Sequence, residues 1–187
     1  MGHEEALRRI EEAKETGAMV LDLSEQGLTE LPSGLFQLIN LTKLNLYGNQ
    51  LTLLSPQIVL LKNLSWLNLN QNHLPGLPAE LCQLIKLEHL SLALNPLSTL
   101  PSKIEQLSEL KFLGLDYLHL TSLPINLFRL SNLTELSCIG NQLAKLPKEI
   151  KQLANLQVLW LYENQLASLP QELVQLPRLE RVHLHGT

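Results

Sequence analysis

The stretch LTKLNLYGNQ, residues 41–50, places leucines at Leu41, Leu44 and Leu46 and an asparagine at Asn49. A helix would repeat its apolar residues at three- and four-residue steps over several turns, and a half-buried strand would alternate them. This stretch alternates over only three residues, Leu44–Asn45–Leu46, with Leu41 set apart. The same arrangement returns at Leu64, Leu67, Leu69 and Asn72, and again at Leu87, Leu90, Leu92 and Asn95. It recurs at Leu133, Leu136, Cys138 and Asn141, and at Leu156, Leu159, Leu161 and Asn164. The step is 23 residues without insertion, so units start at Ala18, Leu41, Leu64, Leu87, Leu110, Leu133, Leu156 and Leu179. Residues 18–187 thus hold seven full units and a partial eighth.

Within a unit, positions four and six point to one side of a short strand, and positions three, five and seven to the other. The leucine at position one and the apolar residues at eleven and fourteen turn back toward positions four and six. A single unit cannot enclose this core, whereas stacked units cover one another. The spacing predicts an α/β-type solenoid: a right-handed horseshoe with a concave parallel sheet. Its return segments are too short for full helices. They open at Pro32, Pro78, Pro101, Pro124, Pro147 and Pro170, which predicts an irregular or 3₁₀ convex side. Where each strand ends, the chain bends inward and leaves backbone groups that need partners. Asn49, Asn72, Asn95, Asn141 and Asn164 are placed to supply them as a ladder. The fifth unit has Leu118 instead, which predicts a local adjustment redirecting Asp116 or Tyr117. The second unit reads Leu54-Ser55-Pro56 where the others have Leu-Pro.

Residues 1–17 differ. Ala6, Leu7, Ile10 and Ala13 give a small apolar stripe on a charged helix, and Gly17 follows as its stop. This segment is expected to cap the first repeat. The chain ends where the eighth unit would place its asparagine, leaving Val182 and Leu184 uncovered. The expectation is either continuation of the chain or an edge-mediated homodimer.

The chain is 45% hydrophobic, of which little is aromatic, so leucine supplies the core. No 18-residue apolar run is present, and the charged N-terminus lacks the apolar core of a secretion signal. A net charge of −4 argues against binding nucleic acid through phosphate neutralisation. Cys82 and Cys138 offer neither a disulfide framework nor a zinc set, which fits a reducing, cytoplasmic setting. The sequons at Asn40, Asn63 and Asn132 arise from the repeat itself. No nucleophile–base spacing or paired carboxylates emerge, so no enzyme, cofactor or metal is expected. His183 and His185 share a face, but no third ligand converges on them.

A period of 20–29 residues with this core is the signature of leucine-rich repeats. The units resemble the 23-residue repeats of intracellular scaffolds of the Scribble and Ras-suppressor types. The run RIEEAKETGAMVLDLSEQGLTELP, residues 9–32, resembles the start of the repeat domain in bacterial Roco proteins, where a Ras-like GTPase domain follows. These resemblances imply protein recognition, within a signalling or GTPase-linked protein. They leave open a structural or oligomerising segment of a larger protein, or a secreted bacterial effector that targets a host protein.

The positions between the leucines are free to encode that function. Position three carries Trp66, His89 and Phe112 in adjacent units. Position five carries Asn68, Trp160 and His183. Position seven carries Tyr47, Asn70, Asp116 and Tyr162. Aromatic residues on an open sheet mark recognition surfaces. Two patches are expected, one around Trp66, His89 and Phe112 and another around Trp160, Tyr162, His183 and His185. Acids Asp22, Glu25, Glu88, Asp116, Glu135, Glu163 and Glu180 outnumber bases Lys43, Lys111 and Arg181 on this side. The expected partner is therefore a protein or peptide of basic and apolar character, with no nucleic acid and no membrane.

Overall fold

The computed structural model describes residues 2–184. It opens with helix α1, Gly2–Thr16. Gly17, at φ +66°, ends the helix in a left-handed turn, and the Ala18 N–H donates to Ala13 O at 2.9 Å. Such a turn uses the freedom glycine alone has without strain. Ala6, Ile10 and Ala13 are buried in one core with the repeats. Leu7 belongs to the apolar stripe in the sequence, but it is 43% exposed. One residue on from Ala6 is about 100° around the helix, which turns it off the buried line.

The strands are β1 (Val20–Asp22), β2 (Lys43–Asn45), β3 (Trp66–Asn68), β4 (His89–Ser91), β5 (Phe112–Gly114), β6 (Glu135–Ser137), β7 (Val158–Trp160) and β8 (Arg181–His183). They form one parallel sheet in sequence order. The register advances by one repeat at every step: Leu21, Leu44, Leu67, Leu90, Leu113, Leu136 and Leu159 pair in line, followed by Val182. Three-residue strands have no stability of their own. The sheet persists because each leucine at positions four and six is packed between its equivalents in adjacent repeats. The solenoid is therefore of the leucine-rich repeat type, with its sheet on the concave side.

The return segments are 3₁₀ turns at Ser33–Gln37, Pro56–Leu60, Ala79–Gln83, Ile104–Gln106, Ile125–Arg129, Lys148–Gln152 and Gln171–Gln175. Pro32, Pro78, Pro124, Pro147 and Pro170 precede five of them, and each gives its carbonyl to the first turn. Ser55 serves in the second repeat. Its hydroxyl accepts the Gln57 N–H at 3.2 Å, and Pro56 occupies the first helical position, where a missing donor costs nothing. Position fourteen is in the core in most repeats: Leu54, Leu100, Leu123 and Leu146 are buried, Leu31 and Leu77 are partly buried, and Leu169 is exposed.

All five ladder asparagines are buried. Asn72 shows the pattern. Its Nδ2 donates to Leu46 O at 2.9 Å and Leu69 O at 3.1 Å, and its Oδ1 accepts the Leu51 N–H at 3.1 Å. One side chain thus satisfies groups in two repeats. Leu118 occupies the same place in the fifth repeat and is 2% exposed, so burial of apolar surface replaces the bonds.

Position eight is left-handed in each of the first seven repeats: Glu25, Gly48, Gln71, Leu94, Tyr117, Gly140 and Glu163 have φ between +54° and +66°. The inward bend requires this conformation whichever residue is present. Non-glycine residues there carry a strain of about 1–2 kcal/mol each.

Candidate functional site

The side chains at positions three, five and seven form the open face of the sheet. Trp66 and His89 stack with centroids 5.3 Å apart and planes within 19°. His89 and Phe112 stack at 4.2 Å and 7°. The first patch is thus one continuous pile of rings, held at close to the strand spacing of about 4.8 Å. Each ring covers its neighbours' faces, so the pile presents ring edges outward.

Small residues at position five make room for this pile. A Cβ on Gly114 would come within 3.1 Å of the Phe112 ring. Ser91 is buried, and its hydroxyl lies 2.8 Å from His89 Nε2. Burial within the pile holds the His89 pKa below its ordinary value, which keeps the ring neutral and compatible with stacking.

The second patch is also a cluster. Trp160 stacks on His183 at 3.8 Å and 7°, and meets Tyr162 edge-on at 6.3 Å. Its Nε1–H donates to Glu135 Oε1 at 2.7 Å. His185 lies outside the described residues. The two patches are separate: Glu135 stands between Phe112 and Trp160 on the sheet.

Asn68, Asn70 and Asp116 have a framework duty that the sequence reading did not assign. Asn68 Oδ1 accepts the Asn70 N–H at 3.0 Å, as Asp22 does for Ser24 and Asn45 for Tyr47. Where the next repeat has serine at position five, the previous repeat's position seven reaches across. Asn70 accepts the Ala93 N–H at 2.7 Å, and Asp116 accepts the Ile139 N–H at 2.8 Å and the Ser137 hydroxyl at 2.6 Å. Tyr47 sits half-buried in the same column.

Burial raises the Asp116 pKa above the usual carboxylate value, against the pull of these two donors. The folded chain therefore holds this proton to higher pH than the unfolded chain does. The stabilising contribution is complete below the ordinary carboxylate pKa and is lost as pH rises through the raised one. Asp116→Asn keeps the acceptor and removes the charge. Its melting temperature should exceed that of the parent at neutral pH and lose the advantage in acid. A lower melting temperature at both pH values would contradict this.

Tyr117, which the sequence marks for redirection beside Leu118, meets Glu163, one of the acids of this face. The Tyr117 hydroxyl donates to Glu163 Oε2 at 3.0 Å, two repeats away. Its ring lies over Gly140, where a Cβ would collide with it. Lys111 pairs with Glu88 at 2.8 Å in adjacent repeats. Beside Trp66 is a cleft of about 420 Å³ lined by Val20, Leu21, Asp22, Lys43, Asn45 and Trp66. Among the described residues, no group of three metal-ligating side chains converges, and no helix is long and apolar enough to cross a membrane. Both cysteines are buried, and burial pushes the Cys82 thiol up to about 11.

Comparison with known proteins agrees with this architecture. The leucine rich repeat family model matches residues 16–74. A leucine-rich repeat protein of Leptospira interrogans is 36% identical, with a TM-score of 0.70 over 94% of this chain and 57% of its own. TLR13, solved in complex with single-stranded RNA, is 29% identical, with a TM-score of 0.84 over 97% of this chain. The ectodomain of the Arabidopsis thaliana receptor kinase GASSHO1/SCHENGEN3, solved with CASPARIAN STRIP INTEGRITY FACTOR 2, is 34% identical, with a TM-score of 0.72 over 82% of this chain. The chain spans 27% and 19% of the last two proteins respectively. No curated protein sequence matches it.

Proposed function

Taking a chain built of leucine-rich repeats as the premise, we propose that it is a protein-interaction module whose concave face binds a protein or peptide. The observation that carries this reading is the Trp66–His89–Phe112 pile. No leucine position requires these rings, and they are half-exposed on an open sheet. Large aromatic surfaces of this kind anchor binding interfaces. The form of the pile favours protein over nucleic acid. Single-stranded bases bind by stacking on free ring faces, and the inner faces here are already occupied. A reducing cytoplasmic setting and a GTPase-linked context extend this reading, the latter on the resemblance of residues 9–32.

The test starts from a displayed random-peptide library selected on the intact chain. Binders would then be measured against Trp66→Ala and Phe112→Ala, with Lys103→Ala and Lys148→Ala on the return segments as controls. The concave substitutions should weaken binding about thirtyfold, or about 2 kcal/mol. Binders that tolerate the concave changes and are lost with the lysines would move the site to the convex face.

A further inference from the structure

Among the described residues, four features that interrupt the regularity of the solenoid coincide on the loop side and return segment of the fourth repeat. First, Leu28, Leu51, Leu74, Leu120 and Leu143 each donate their N–H to the asparagine of the following repeat. Leu97 cannot, because the following repeat has Leu118. Second, a neighbouring chain of bonds runs from Gln50 N to Leu28 O, His73 N to Leu51 O, Gln142 N to Leu120 O and Gln165 N to Leu143 O. It skips two steps between them: Pro96 has no N–H to give, and His119 stands at φ +61°. Third, the 3₁₀ turn shrinks to Ile104–Gln106, although Pro101 still gives its carbonyl to the Ile104 N–H at 3.1 Å. Fourth, Glu105 occupies the place where Phe36, Cys82 and Phe128 are buried and where Lys151 and Val174 are exposed, and its Oε2 is buried without a hydrogen-bond partner.

The concave side is different. There β4 and β5 pair in full register, His89 stacks on Phe112 at 4.2 Å, and Lys111 pairs with Glu88 at 2.8 Å. We infer that the fourth repeat is a seam along which the solenoid divides into two cooperative blocks, open to loosening on the loop side and clasped on the concave side by His89–Phe112 and Lys111–Glu88. In a linear stack the coupling between neighbours is local, so a weak junction uncouples what lies on either side. The clasp belongs to the aromatic pile, so an occupant resting on those rings would also hold the seam closed. The seam itself stands whether or not that face binds anything.

The two tryptophans report the two blocks, Trp66 before the seam and Trp160 after it. Full-length Trp160→Phe and Trp66→Phe chains, unfolded in urea, should show fluorescence midpoints at least about 0.5 M apart. Pro96→Gln with Leu118→Asn restores the missing donor and the missing ladder residue. In both single-tryptophan backgrounds, this repair should bring the midpoints together. Coincident midpoints before repair would overturn the proposal, as would a separation that the repair leaves unchanged. If the repaired chain does not fold, hydrogen exchange on the unaltered chain decides. Segments 43–92 and 133–164 should open at different rates, and a single shared rate would overturn the seam.

Discussion

Leu113→Ala should lower the stability of the solenoid by about 3–5 kcal/mol. Leu113 is fully buried on β5, in line with Leu90 on one side and Leu136 on the other. Truncation of a core leucine removes its transfer free energy and leaves a cavity whose cost depends on how far the surroundings collapse. Collapse is hindered here because the strands on both sides are held at fixed spacing by backbone bonds. The void therefore persists between two repeats and weakens both junctions. Leu21→Ala at the end of the sheet should cost less, because α1 covers it from one side and can shift. Urea unfolding of both variants would check this. A loss under about 1 kcal/mol at Leu113 would mean that the stack closes over the gap.

The second large effect is expected at Asn95. Its Nδ2 donates to Leu69 O and Leu92 O, both at 2.9 Å, and its Oδ1 accepts the Leu74 N–H at 3.1 Å. After Asn95→Ala, Leu69 O keeps the donor from Asn72. Leu92 O and the Leu74 N–H lose their side-chain partner. Each orphaned buried group costs about 1–3 kcal/mol, so the total should be about 3 kcal/mol. The loss would also fall beside the gap already present at Leu118. Asn63 is the contrasting case. It bonds Ile39 O and Lys86 Nζ at the surface, where water can replace the partners, so Asn63→Ala should change stability by less than about 0.5 kcal/mol. Equal melting temperatures for Asn95→Ala and the parent would refute the ladder's role.

Much of the candidate site was legible before any coordinates. The pile of Trp66, His89 and Phe112 follows from three rings at one position of consecutive repeats, because a parallel register sets residues 23 apart side by side. The cluster at Trp160 was legible for the same reason. What was hidden were contacts that cross columns. Asn70 and Asp116 bond backbone amides of the next repeat because Ser91 and Ser137 cannot supply the acceptor that Asn68 supplies to its own strand end. Tyr117 reaches Glu163 two repeats on because Gly140 leaves the space between them empty. Such contacts depend on rotamers and on what neighbours leave vacant.

The sequence by itself determined the repeat length, the sheet register, the leucine core and the asparagine ladder. These follow from one backbone geometry repeated without insertion, so any unit predicts the next. Only the tertiary structure decided which polar side chains hold the frame, that position eight is left-handed whatever its residue, and that Leu7 faces away from the core. It also decided where the regularity fails. A substitution such as Leu118 reads in sequence as a single exception. Its weight comes from Pro96, Glu105 and the shortened turn, which folding gathers into the same repeat and its junction with the next.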